Sequence, residues 1–308
     1  MIANFFNKTT PIKSVLIYSI FILFYFIYKI QHADTLFKGI GVIEIIEHLF
    51  SNILFLILCS IIFSRNGFEK TNLYSSLILV LLFGMFPSTL HVDIPLFVNF
   101  IFLIVYLKTT EIKDKKDNLA SFFDVGFYIG ISFVFFNWSV LMMLLLYIGI
   151  LKIGKAQIRN YIVPIIGFLT PVAIVLIYEY LTDTPLGFVD DFSFSFSNDY
   201  SIYENTLLKL PLAVISAITL IAIFTSIPKI YGINDNSRHQ YTIALYMLLT
   251  SILMVYFSTL KNGVELLYLF IPCALILGQF ITDIKKTIVK ELFLIATTIF
   301  SIVILLNN

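Results

Sequence analysis

Residues 13–30 read KSVLIYSIFILFYFIYKI, and residues 42–63 read VIEIIEHLFSNILFLILCSIIF. Each run is apolar over about 18 residues or more, the length that an α-helix needs to cross a hydrocarbon core of about 30 Å. The residues between them, QHADTLFKGIG, form a short and largely polar connection. The two runs therefore predict membrane-spanning helices joined by a loop, and the same pattern recurs along the chain.

The composition of the chain is that of a membrane protein. Of its 308 residues, 59% are hydrophobic and 13% are charged, whereas soluble domains carry about 25% charged residues. The sequence has no basic patch interleaved with aromatic residues, so no nucleic-acid partner is predicted. Both cysteines lie inside apolar runs, which predicts neither a disulfide nor a cysteine metal site.

The apolar runs predict an all-α protein, a polytopic transmembrane helical bundle of about 11 spans in a single integral-membrane domain, residues 1–308. No polar gap between them is long enough for an inserted soluble domain. The predicted spans are Lys13–Ile30, Val42–Phe63, Leu73–Leu90, Ile94–Leu107, Leu119–Phe136, Trp138–Ile153, Tyr161–Leu181, Leu207–Ile227, Tyr241–Thr259, Val264–Thr282 and Ile288–Leu306.

The distribution of basic residues predicts the orientation. With the N-terminus inside, 16 of the 20 basic residues fall on inner segments and 4 on outer ones, alternating loop after loop. Inner loops of membrane proteins carry an excess of Lys and Arg. We therefore expect the N-terminus inside, the C-terminus outside and an acidic outer face. The outer basic residues are Lys29, Lys38, Lys209 and Lys261.

The first outer loop, residues 31–43, and the start of the next span form the first candidate site. Asp34 follows the first span by a few residues. Glu44, Glu47 and His48 have the spacing that places side chains on one helix face. Two carboxylates and an imidazole on one face could bind a divalent cation or supply a general base. The alternative is an amphipathic helix start whose polar side is in water.

Two more polar segments map to the outer side. His91 and Asp93 lie in the turn between the third and fourth spans, bracketed by Pro87 and Pro95. Glu179 lies near the outer end of the seventh span, in IYEYLTD. An acidic residue near membrane depth is a candidate functional group. The alternative for all three is a polar side chain that reaches water at a turn or a helix end.

Two segments depart from plain spans. Residues 119–153 are largely apolar, with Asn137 and Trp138 as the outer turn. This predicts a short helical hairpin that either stops below the outer surface or thins the membrane locally. In the outer loop, residues 182–206, phenylalanines alternate with serines around Phe194. This alternation predicts an extended flap at the headgroup level, and the alternative is an interfacial aromatic anchor.

This layout of spans and outer acidic residues resembles the GT-C superfamily, integral-membrane glycosyltransferases that use polyprenyl-phosphate-linked sugars at the outer face. The stretch from Trp138 to Asp183 also looks like a poorly characterised family of bacterial inner-membrane proteins. The GT-C resemblance implies that Asp34 and Asp93 are catalytic, with His91 beside Asp93. The candidate contacts to substrate or lipid are Glu44, Glu47, His48, Lys38 and Glu179. Of the outer basic residues, only Lys29, Lys38, Lys209 and Lys261 could bind the lipid phosphate that the resemblance implies. The resemblance also implies a multi-pass location in the bacterial inner (cytoplasmic) membrane, with membrane lipids such as polyprenyl phosphate as partners.

The leading hypothesis is a GT-C-like protein that acts on or binds a lipid-linked saccharide or another envelope precursor at the outer face. No cofactor is assigned, beyond the divalent cation that the acidic residues could bind. A second hypothesis is a non-catalytic integral subunit of an envelope export or assembly machine, which would bind a membrane-protein partner, and a third is a transporter. The sequence has no G-x-x-x-x-G-K, C-x-x-C or G-x-S-x-G motif, so nucleotide-driven chemistry at the inner face is not predicted.

Overall fold

The computed structural model describes residues 2–32, 42–69, 71–112, 118–152, 157–182, 194, 197, 199–230, 235–259 and 261–307. Within these ranges the chain is all-α and contains no strand. The helices are α1 (Ile2–Phe6), α2 (Pro11–Gln31), α3 (Val42–Arg65), α4 (Tyr74–Met85), α5 (Ile94–Glu111), α6 (Leu119–Phe135), α7 (Met142–Leu151), α8 (Ile158–Thr182), α9 (Thr206–Ile230), α10 (Asp235–Phe257), α11 (Phe270–Asp283) and α12 (Thr287–Asn307). Short 3-10 helices cover Pro87–His91, Asn137–Leu141, Ser201–Glu204 and Val264–Leu269.

Eight helices in the described ranges are long and apolar enough to cross a membrane, so the chain is a multi-pass membrane protein. They are α2, α3, α5, α8, α9, α10, α11 with the 3-10 helix before it, and α12. The remaining apolar helices, α4, α6 and α7, are shorter. Each of the 11 predicted spans overlaps one of the eight long or three short apolar helices, so a total of 11 spans requires the three short helices to cross as well.

Local sequence explains where the first long helices begin and end. Pro11 begins α2, a position where the fixed φ of proline suits the helix and its missing N–H is not needed. After α3, Gly67 adopts a φ of 79°, a left-handed conformation that glycine adopts without steric penalty. The N–H of Phe68 donates to the carbonyl of Phe63 at 3.0 Å, which closes the end of α3.

The chain forms two compact units that alternate along the sequence. The first unit consists of Met1–Leu96, Asp199–Arg238 and Lys261–Asn308. The second consists of Phe97–Asn198 and His239–Leu260.

Helix α4 is the core of the first unit. All of its residues are buried, because α2, α3, α11 and α12 pack around it. Small residues allow the close approach: a Cβ on Gly278 would lie 2.1 Å from the hydroxyl of Ser75, and one on Gly84 would lie 2.2 Å from the hydroxyl of Ser301. Such small-residue contacts are how helices pack closely in membrane bundles.

The second unit is built on the contact between α6 and α8. A Cβ on Gly126 would lie 2.2 Å from the carbonyl oxygen of Pro164, and one on Gly167 would lie 2.3 Å from that of Phe123. The segment predicted as a hairpin contains α6, the 3-10 helix Asn137–Leu141 and α7. Most of the predicted flap lies outside the described residues; of its phenylalanines only Phe194 is described, with its ring 5.3 Å from that of Trp138.

Candidate functional site

An imidazole–carboxylate pair joins the start of α3 to the start of α5 in the first unit. Nε2 of His48 lies 3.1 Å from Oδ2 of Asp93. The His48 side chain is 7% exposed and the Asp93 side chain is 71% exposed. Because an ionised carboxylate only accepts hydrogen bonds, Nε2 is the donor when His48 is neutral and Nδ1 is then the basic nitrogen. His48 Nδ1 is buried and has no hydrogen-bond partner among the described residues.

Asn52, one turn after His48 in α3, holds this pair in place. Its amide nitrogen donates to the carbonyl of His48 at 2.8 Å and to the carbonyl of Leu90 at 3.2 Å. Leu90 belongs to the 3-10 helix Pro87–His91, so one buried side chain ties α3 to the turn that precedes Asp93. This link sets the distance between the imidazole and the carboxylate.

Two more histidines lie against the ring of Tyr28 near the end of α2. The His91 ring stacks on Tyr28 with centroids 5.5 Å apart, and the His32 ring lies 4.4 Å from Tyr28. Burial lowers the pKa of His91 below its usual 6.5, and the charges of Lys29, His48 and His32 lower it further, while Asp93 opposes them. His91 is therefore neutral at pH 7, with one ring nitrogen free to donate and one to accept.

Lys29 brings a buried ammonium to the same place. The residue is 2% exposed, and its Nζ has no hydrogen-bond partner among the described residues. Nζ lies 5.6 Å from the ring centroid of Tyr25, and Glu44 acts on it as a nearby negative charge. Removing an ammonium from water costs several kcal/mol of free energy, whereas contact with an aromatic face stabilises it by about 2 kcal/mol. The Tyr25 contact alone does not offset the burial of this charge.

We call His32, His48, His91, Lys29 and Asp93 the histidine cluster. It contains three of the four histidines in the chain. A comparison with known families matches residues 1–307 to the family of unknown function DUF6427. The chain belongs to DUF6427. No curated protein and no solved structure matches it. The DUF6427 match spans both units, and every residue of the histidine cluster lies within it.

The DUF6427 structure brings together only some of the residues that the sequence singled out. His48, His91 and Asp93 converge in the histidine cluster. Glu44 and Glu47 are both exposed, and Glu44 acts electrostatically on Lys29. The remaining candidates are placed elsewhere or not described. Glu179 belongs to the second unit, and Asp34 and Lys38 lie outside the described residues.

The predicted cation site has no matching ligand set in the described part of this DUF6427 chain. No group of three or more His, Cys, Asp or Glu side chains there is arranged to hold a metal ion. The histidine cluster instead has buried donors and acceptors on separate residues. Side chains of these types are able to transfer protons and to donate hydrogen bonds to a polar or anionic ligand.

Sequence reasoning missed Tyr28 and Asn52, and it named Lys29 only as one of four outer lysines that could bind a lipid phosphate. Lys29 occupies the last turn of an apolar helix, where a lysine ordinarily extends its amine to the interface. The sequence does contain a signal that points to the site. His32, His48 and His91 each lie near the predicted outer end of one of the first three spans. That coincidence predicts convergence if the first three spans are neighbours.

Proposed function

We propose that this DUF6427 protein acts at the outer face of the bacterial inner membrane on a saccharide carried by polyprenyl phosphate, in the manner of GT-C glycosyltransferases. The proposal takes 11 spans, with the N-terminus inside and the C-terminus outside, from the distribution of apolar and basic residues. The observation that carries it is the pair formed by His48 and Asp93. A carboxylate that orients an imidazole is a recurrent general-base arrangement.

In the proposed reaction, the His48–Asp93 pair activates the acceptor hydroxyl. His48 Nδ1 takes the proton from an acceptor hydroxyl while Asp93 holds the opposite ring nitrogen and stabilises the imidazolium that forms. The acceptor oxygen forms a bond to the anomeric carbon of the sugar. The bond between that carbon and the phosphate oxygen breaks, and the polyprenyl phosphate leaves with the electron pair. The proton then passes from His48 to solvent, which the exposed Asp93 contacts.

Burial supports this assignment. The imidazole is almost fully enclosed while its carboxylate partner faces outward, so the basic nitrogen is shielded from bulk water. Exclusion of water favours transfer to an acceptor over hydrolysis of the lipid-linked sugar. The location of the pair at the start of two apolar helices, α3 and α5, suits a substrate whose carrier lies in the bilayer and whose sugar lies in water.

The test replaces Asp93 with Asn in the chromosomal gene and measures lipid-linked saccharides by mass spectrometry of membrane extracts. Asp93→Asn should lower transfer at least about 100-fold, because the imidazole loses its orienting charge. An unused polyprenyl-phosphate saccharide should then accumulate to the level seen in a deletion strain. Membrane abundance of the variant, measured by immunoblot, should be that of the natural protein.

The matched control is Glu47→Gln, which changes an exposed carboxylate beside His48 that does not join the pair. It should leave the saccharide pool unchanged. If the deletion strain and Asp93→Asn both leave the lipid-linked saccharides at their normal level, the enzyme proposal fails. A deletion phenotype that Asp93→Asn fully rescues would favour the assembly-subunit hypothesis instead.

A further inference from the structure

The unpartnered ammonium of Lys29 lies inside the histidine cluster and has no role in the proton transfer described above. Its Nζ is buried without a hydrogen-bond partner among the described residues, and Lys29 itself is 2% exposed. Buried ammonium groups are found paired with an anion or with several acceptors. Lys29 therefore points to an anion that completes the site.

The neighbours of Lys29 are suited to an anion with several acceptor oxygens. Nδ1 of His48 and Nδ1 of His91 are also buried and unpartnered among the described residues, and the charge of Lys29 acts on His91. The neutral His91 ring donates from Nδ1 in the tautomer that the ligand selects, whereas Nδ1 of His48 stays the basic nitrogen of the transfer reaction. A phosphate group has enough oxygens to accept from the Lys29 ammonium and from the His91 ring at once.

We propose that Lys29 is the phosphate-binding residue of this protein, and that its ammonium binds the phosphate group of the ligand with His91 as second donor. The inference rests on the proposed function for the identity of the ligand as a lipid phosphate. The phosphate chemistry itself comes from the buried ammonium. Lys29 ends an apolar helix, α2, which places its head group where the phosphate of a membrane lipid lies.

The experiment uses the full chain in phosphatidylcholine nanodiscs. One arm adds farnesyl phosphate to the nanodiscs and measures retained lipid by native mass spectrometry. The other arm titrates inorganic phosphate and follows it by ³¹P NMR. Lys29→Met should weaken binding about tenfold or more, because it removes a charge-assisted hydrogen bond, and Lys29→Arg should retain binding within a fewfold. The arm that shows this Lys29 dependence identifies the source of the phosphate.

The matched control is Lys290→Met. Lys290 also lies over a tyrosine ring, at 5.5 Å from that of Tyr74, but its Nζ already donates to the carbonyl of Thr282 at 3.1 Å. Its replacement should leave phosphate binding unchanged. Binding that is equally strong in Lys29→Met and the natural chain, or absent from both arms, would overturn the proposal.

A thermal unfolding measurement without ligand separates this proposal from an internal ion pair. If an anionic ligand is the partner of Lys29, Lys29→Met removes an uncompensated buried charge and the ligand-free protein should unfold at the same temperature or higher. If a carboxylate of the chain is the partner, that carboxylate loses its counter-charge and the unfolding temperature drops, which contradicts the proposal. The two proposals can fail separately. If the natural chain binds phosphate through Lys29 but transfers no sugar, and Asp93→Asn still binds phosphate, the transfer proposal is refuted and the phosphate-binding inference stands.

Discussion

Glu69 is a buried carboxyl group that the histidine cluster does not include. It follows α3 and is 1% exposed. Its Oε1 accepts from the N–H of Ser76 at 2.5 Å, and its Oε2 accepts from the hydroxyl of Ser76 at 2.9 Å. Burial raises its pKa from 4.5 to about 7, against the hydrogen bonds from Ser76 that lower it. Glu69 therefore titrates near neutral pH.

The raised pKa of Glu69 predicts a pH-dependent stability. Because the folded state binds the proton more tightly than the unfolded state, this contribution is fully present below pH 4.5 and is lost as the pH rises through about 7. The loss is about 3 kcal/mol in the free energy of unfolding. Glu69→Gln, which mimics the protonated acid, should remove this slope in SDS-unfolding titrations across that range. An unchanged slope in the variant would contradict the buried-acid interpretation, and the exposed Glu47→Gln serves as control.

His91 predicts a dependence of opposite sign. Its folded pKa is below 6.5, through burial and the charges of Lys29, His48 and His32, with Asp93 opposing them. The unfolded state therefore binds the proton first, and the contribution of His91 to stability is present above pH 6.5 and is lost as the pH falls. Nitrogen NMR of the imidazole should find that His91 becomes protonated only below pH 6.5, the ordinary value for a histidine. Protonation of His91 at or above pH 6.5 would show that the ring is not enclosed as described.

At the scale of elements, the contact of α6 with α8 predicts a specific sensitivity. A Cβ on Gly126 would lie 2.2 Å from a backbone oxygen, that of Pro164, which no side-chain rotation can move. Gly126→Ala should therefore lower the free energy of unfolding by about 1–3 kcal/mol, despite the higher helix propensity of alanine. The measurement is SDS unfolding in detergent micelles.

Gly149→Ala is the matched control for Gly126→Ala. A Cβ on Gly149, in α7, would meet the methyl group of Thr109 at 3.0 Å, a side chain that can rotate away. We expect this variant to be neutral or slightly more stable. Equal effects of the two substitutions would mean that the α6–α8 contact is looser than its geometry indicates.

The helices were predictable from sequence because a membrane span is encoded by one continuous run of apolar residues. The run predicted as Leu119–Phe136 is α6, Leu119–Phe135, and the run predicted as Ile288–Leu306 lies within α12. The histidine cluster was only partly predictable. Helical spacing placed Glu44, Glu47 and His48 on one face, yet both glutamates are exposed and His48 is buried. What buries His48 is packing against the turn that contains Leu90, and a contact between residues so far apart in sequence leaves no trace in local spacing.

At the scale of the whole molecule, the lengths of the short helices bear on how many helices cross the membrane. Helix α4 has 12 residues and the following 3-10 helix has 5. Together they extend about 28 Å, at rises of about 1.5 and 2.0 Å per residue. The 17 residues of α6 extend about 26 Å, and the 3-10 helix Asn137–Leu141 with α7 extends about 25 Å. All three approach the hydrocarbon thickness of about 30 Å.

If these three segments cross, the chain has 11 spans, an odd number, and its termini lie on opposite sides of the membrane. If only the 8 long helices cross, the two termini lie on the same side. The measurement is cysteine labelling in intact cells with a membrane-impermeant maleimide, in a Cys59→Ser, Cys273→Ser background. Asn307→Cys should label in intact cells, and Lys8→Cys should label only after permeabilisation. Labelling of both positions under the same condition would mean that an odd number of the short segments fails to cross, and the distribution of basic residues along the chain would then need a different explanation.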